Sequence, residues 1–130
     1  MVPYLADSGH NALDINLQVL VTPSGTDAAE GKVYCKSNTA SLYWTLSQCL
    51  AHQAIGGCGL RTGDLLATGT VSGQGAEERG CLLEHMRASG KPPRGYLEDG
   101  ETVTLSGYCG DGVGFGECIA TLLPAKELVI

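Results

Sequence analysis

The chain has 130 residues, 8 basic against 14 acidic side chains for a net charge of −6, and 43% hydrophobic residues. That is the length of one domain, taken as residues 1–130, with enough apolar content for a sizeable core. An acidic balance without clustered Lys and Arg excludes a phosphate-backbone partner, and no apolar run approaches the roughly 18 residues of a membrane span. Neither nucleic acid nor membrane is therefore expected. The start, Met-Val-Pro-Tyr-Leu-Ala-Asp, lacks the basic-then-apolar layout of a secretory signal, so a cytoplasmic location is expected. Six cysteines are present, Cys35, Cys49, Cys58, Cys81, Cys109 and Cys118. Without C-x-x-C spacing or a histidine at ligand spacing they read as reduced thiols, not as a disulfide framework or a zinc site. Cys35, Cys49 and Cys118 stand among apolar residues as small core fillers.

Nineteen glycines scattered between short apolar runs are the pattern of a turn-rich β protein. Residues 14–21 alternate, with Ile15, Leu17, Val19 and Val21 on one face of a half-buried strand. Residues 22–26 form a turn, and 32–37 a second strand, the hairpin partner of the first. The spacing of Leu42, Leu46, Cys49 and Leu50 predicts one helix over 42–54, with Ser41 as N-cap and Gly56-Gly57 as the stop. Strands follow over 64–70, 81–86, 96–98, 102–109 and 117–123, with Asp99-Gly100 as a hairpin signal. The polar stretch 74–79 is a surface loop. A mainly β domain follows, a mixed roll or sandwich with one helix laid across it.

Candidate chemistry is sparse. His10, His52 and His85 have no H-x-x-x-H partner and read as solvent-facing or capping residues. Asp111, in the glycine-rich 110–116, has no following Lys or helix, so a tight strand connection explains it as well as a phosphate loop. Glu84 shares a strand face with Leu82. On a core face its carboxylate needs a partner and suits the orienting of a histidine; on a solvated face it is ordinary. Spacing leaves both readings open. Thr70, after Gly69, offers a hydroxyl and backbone N–H groups to an anion, though as a strand end it needs no ligand.

Several segments carry a resemblance: Ser37-Asn38, Tyr43-Trp44-Thr45, Gln48 and His52, and Gly63-Asp-Leu-Leu-Ala-Thr-Gly-Thr-Val-Ser-Gly73. So do Leu83-Glu84, Asp99-Gly100-Glu101-Thr-Val-Thr-Leu-Ser-Gly-Tyr-Cys109, Gly114-Phe-Gly-Glu-Cys118, Pro3-Tyr-Leu5 and Asp14-Ile-Asn-Leu17. Over nearly its whole length the chain resembles the C-terminal portion of the fumarylacetoacetase family. The resemblance implies a mixed β roll that works as a homodimer in tyrosine breakdown. It also implies hydrolysis of a carbon–carbon bond in a 1,3-diketo acid, with a divalent cation (magnesium or calcium), a water-activating histidine and a carboxylate that orients it. By position Glu84 matches the orienting carboxylate and Thr70 a substrate-contacting threonine.

The family's metal carboxylates, general-base histidine and carbanion-holding basic residues lie upstream of the matched segment. His52, His85 and Asp64 do not take their places, Gln53 stands where a second histidine is usual, and the glycine loop at Asp111 is shorter. No cation is expected to be held by this chain alone. The expectation is a partial hydrolase site, inactive by itself, in a chain that forms homo-oligomers and takes a small diketo-acid ligand. The alternatives are a non-enzymatic oligomerising or binding module, or a new site gathered from Asp14, Asp64, Glu84 and Asp111 across a dimer interface.

Overall fold

The computed structural model describes residues 2–7, 12–88, 95–110 and 112–126. Four strands, β1 (Asn16–Thr22), β2 (Lys32–Asn38), β3 (Thr102–Cys109) and β4 (Val113–Thr121), form one antiparallel sheet in the order β2-β1-β3-β4. The mainly β expectation holds, and β1 and β2 pair as hairpin partners, Asn16 against Asn38. Alternation along β1 puts Leu17, Val19 and Val21 on one face, opposite Gly107, Leu105 and Val103 of β3. Phe115 joins them, because a Cβ on Gly107 would lie 3.2 Å from both Leu17 Cδ2 and Phe115 Cδ2. The β3–β4 register slips between Ser106 and Tyr108, where Gly116 takes φ +78°, a left-handed conformation that glycine adopts without a Cβ penalty.

The helix starts later than its apolar spacing predicts. Asn38 caps a short 3-10 turn, Thr39–Ser41, by accepting from the Ala40 N–H, and Leu42 is extended. α1 (Leu46–Ile55) then begins at a capping box in which Thr45 and Gln48 satisfy each other's backbone N–H, and it ends at Gly56 as expected. α1 is not laid across the sheet. Its principal contact is the N-terminal turn Pro3–Leu5, where Gln48 Nε2 donates to Leu5 O at 2.8 Å. Gln48 is its buried residue, while Leu46 and Leu50 are exposed.

Residues 81–86, expected as a strand, lie in a second helix, α2 (Leu82–Ala88). Leu, Glu, Met, Arg and Ala are good helix formers, and six residues are too few for alternation to overrule them. Residues 64–70, expected as a strand, form none and pair with none among the described residues, Gly69 taking φ +79°, and 96–98 lead into a turn that the Glu101 N–H closes on Glu98 O. Asp99-Gly100 therefore precedes β3 without joining a hairpin. β4 starts within the glycine-rich segment, at Val113. Of the three expected core cysteines, Cys35 is buried but Cys49 and Cys118 are exposed; none of the six is in a disulfide. No described helix is long and apolar enough to cross a membrane.

Leu97, Leu82 and His85 close over the β1–β2 end of the apolar face around a cavity of about 150 Å³. The β3–β4 end is bare: Leu105 is 46% and Phe115 68% exposed, and all nine residues of β4 are exposed. The accessible surface is 9745 Å², where a compact monomer of this size exposes about 6,500 Å².

Candidate functional site

Thr70 and Glu84 are brought together by a loop that turns back on itself. The chain runs from Thr70 through Val71 and Ser72, makes a short 3-10 turn at Ala76–Glu78, and returns past Gly80 into α2. The Gly73 N–H donates to Glu78 O at 2.9 Å, the Glu78 N–H to Gly75 O at 3.1 Å, and the Gly75 N–H to the Glu78 carboxylate at 2.6 Å. Gly80 lies hard against the outgoing segment at Thr70 and Val71. A Cβ there would stand 2.5 Å from both Thr70 Cγ2 and the Val71 carbonyl oxygen, so the approach admits no side chain. Ser72 Oγ accepts the Gly80 N–H at 3.1 Å and donates to Glu84 Oε2 at 2.8 Å. Glu84 thus belongs to one hydrogen-bonded unit with Ser72 and Gly80, which Thr70 borders by packing against Gly80; Thr70 is exposed and Glu84 half-buried.

In α2, Leu82 and Glu84 point about 200° apart instead of sharing a face. Glu84 is therefore neither a core carboxylate nor a fully solvated one, since its burial is met by the Ser72 hydroxyl. Its other oxygen, Oε1, has no hydrogen-bond partner among the described residues.

The described histidines are tied elsewhere. His85 Nε2 donates to Arg79 O at 3.1 Å, and its ring meets Tyr34 edge-on. His52 stacks on Tyr4 and bonds its hydroxyl through Nδ1 at 3.1 Å. His10 and Asp111 lie outside the described residues. The other acidic candidates have separate partners: Asp14 accepts from Asn38 Nδ2 at 2.7 Å and Asp64 from the Arg61 N–H at 2.8 Å. Among the described residues no group of three or more His, Cys, Asp or Glu converges, and this donor set does not fit a divalent cation. Beneath the loop, burial pushes the Cys35 thiol above its usual 9.0. A hydrogen bond with Ser37 opposes this, and the Glu84 and Glu78 carboxylates add to it.

Residues 2–123 match the family described as fumarylacetoacetate (FAA) hydrolase C-terminal. The chain belongs to that family. It is 47% identical to a fumarylacetoacetase of Arabidopsis thaliana over 133 residues, which cover 95% of this chain and 31% of that protein. A fumarylacetoacetase of Caenorhabditis elegans is 46% identical, over 94% of this chain and 31% of its own length. The human fumarylacetoacetase is 42% identical, over 95% of this chain and 32% of its own length. The chain thus spans about a third of these fumarylacetoacetases.

Thr70 and Glu84 both lie in the family-matched span, and so do two residues that sequence reasoning passed over, Ser72 and Gly80. Nothing local marks them. Ser72 sits in a run of small residues, and its partner is brought to it only because the chain doubles back. Gly80 was one more glycine among nineteen.

Proposed function

We propose that this chain supplies the substrate-contacting and histidine-orienting part of a fumarylacetoacetase-type hydrolase site. In this reading water adds to a carbonyl of fumarylacetoacetate, and the carbon–carbon bond breaks to give fumarate and acetoacetate. The cleaved bond's electron pair goes to the carbon between the two ketones, which takes a proton and becomes the methyl group of acetoacetate. Thr70 offers its hydroxyl to a substrate oxygen. Glu84 accepts the N–H of a histidine through Oε1 and holds that ring as base toward water. The histidine and any cation site come from polypeptide equivalent to the upstream two-thirds of the relatives, and no step here passes through a metal. The joining of Thr70 to Glu84 through Ser72 and Gly80 carries the reading. The six unpaired thiols support a cytoplasmic location.

The test is hydrolysis of fumarylacetoacetate by the chain alone and mixed with the upstream portion of a relative, with magnesium or calcium added. The expected result is turnover only in the mixture, reduced about 100-fold to 10,000-fold by Glu84→Gln. Turnover by the mixture that Glu84→Gln leaves intact would sink the assignment.

A second reading, an oligomerising module without catalysis, is favoured by the bare β3–β4 face and the exposed edge of β4. It predicts a discrete homo-oligomer by light scattering, lost in Phe115→Asp. A monomer at all concentrations would exclude it.

A further inference from the structure

The Ser72 hydroxyl has one proton to give and two lone pairs to offer. The Gly80 N–H, 3.1 Å away, takes a lone pair, and an ionised carboxylate can only accept. The Ser72 proton is therefore directed at Glu84 Oε2, 2.8 Å away, in a charge-assisted bond. Gly80 fixes this donor from behind. Its backbone can come so close only because it has no Cβ, and the Gly73–Glu78 bonds close the loop that carries it. With Oε2 engaged, the carboxylate has its rotation stopped and Oε1 left open.

We infer that Ser72 is a positioning residue that sets the orientation of the Glu84 carboxylate, leaving Oε1 as the acceptor for a second donor. This rests on the reading of Glu84 given above and adds the residue that aims it. A hydroxyl that merely closed the loop would need the Gly80 bond alone. The bond to Glu84 is what loop closure alone leaves unexplained: it meets the half-buried carboxylate and decides which oxygen stays open.

The 130-residue chain labelled with carboxyl-13C glutamate provides the direct measurement, with the Glu84 signal assigned by its loss in Glu84→Gln. Exchange of H2O for D2O should split or shift that signal beyond that of the exposed Glu77, because a hydroxyl hydrogen bonds it. Ser72→Ala should move the signal to the Glu77 position, and Ser72→Thr, which keeps the hydroxyl, should restore it. In the active mixture Ser72→Ala should lower kcat by about tenfold to a hundredfold with KM unchanged, and Ser72→Thr should recover most of it. Absence of the isotope effect in the unsubstituted chain overturns the inference even if Ser72→Ala fails to fold. So does a folded Ser72→Ala with unchanged kcat in a mixture that Glu84→Gln inactivates. Full turnover in Glu84→Gln overturns the hydrolase reading instead, and the isotope effect then still decides whether Ser72 holds the carboxylate.

Discussion

Two neighbouring stretches of the chain are built in opposite ways. From Ser72 to Glu84 the backbone bonds to itself, to Glu78 and to Ser72, and Gly80 packs against Val71 without a gap. From Leu60 to Gly69 the chain makes one turn, closed by the Asp64 N–H on Arg61 O, and then pairs with no strand among the described residues; Leu65 is 96% exposed and Leu66 55%. A hydrogen-bonded loop of this kind specifies its own shape, whereas an apolar run does so only when another surface covers it. Thr70 stands at the junction. Its methyl group packs against Gly80 of the closed stretch, and its approach is set by whatever covers the open one.

The largest break in that contrast should come from Gly80→Val. The added side chain has backbone, not a flexible side chain, in its way, so destabilisation by about 3 kcal/mol is expected, read from the urea midpoint. A cost under about 0.5 kcal/mol would mean that the loop yields and does not fix Glu84. Leu65→Glu should behave oppositely. In the chain alone it should change stability by no more than about 0.5 kcal/mol, yet it should weaken assembly with the upstream portion of a relative. A large loss in the isolated chain would show that Leu65 is packed after all.

The smallest effect concerns pH. Cys35 has a raised folded-state pKa, so the thiol is favoured on folding. That contribution is complete below the unfolded value and is lost as pH rises through the folded one. Subtracting the melting curves of Cys35→Ala from those of the unsubstituted chain should leave a stability loss that begins near pH 9. A flat difference would place Cys35 in contact with water. In thiol labelling Cys58 should react early and Cys35 last.

What was legible in the sequence follows the same division. β1, β2 and β3 were readable because their alternation is answered by partner strands within the chain: Val19 meets Cys35 on one side and Leu105 on the other. Residues 64–70 looked like a strand because an apolar run implies cover, and composition cannot say where cover comes from. Residues 81–86 fit two periods, and helix propensity decided. The N-cap was misplaced because the Asn38 side chain absorbs the first turn before Thr45 begins the helix. Thr70 and Glu84 were reached by resemblance. Ser72 could not be, since its role exists only once residues far apart in the chain meet.

β1 is an inner strand with neighbours from opposite ends of the chain: Asn16 pairs with Asn38 early and with Tyr108 late. Everything between β2 and β3, both helices and the loop that holds Glu84 included, must be made before the sheet can close. The early hairpin is marginal on its own, as two-stranded ribbons are. The late pairing carries the loop-closure entropy of most of the chain, which places it among slow, non-local folding steps. As the chain emerges from the ribosome, β1 and β2 therefore wait with one edge unpaired until β3 arrives.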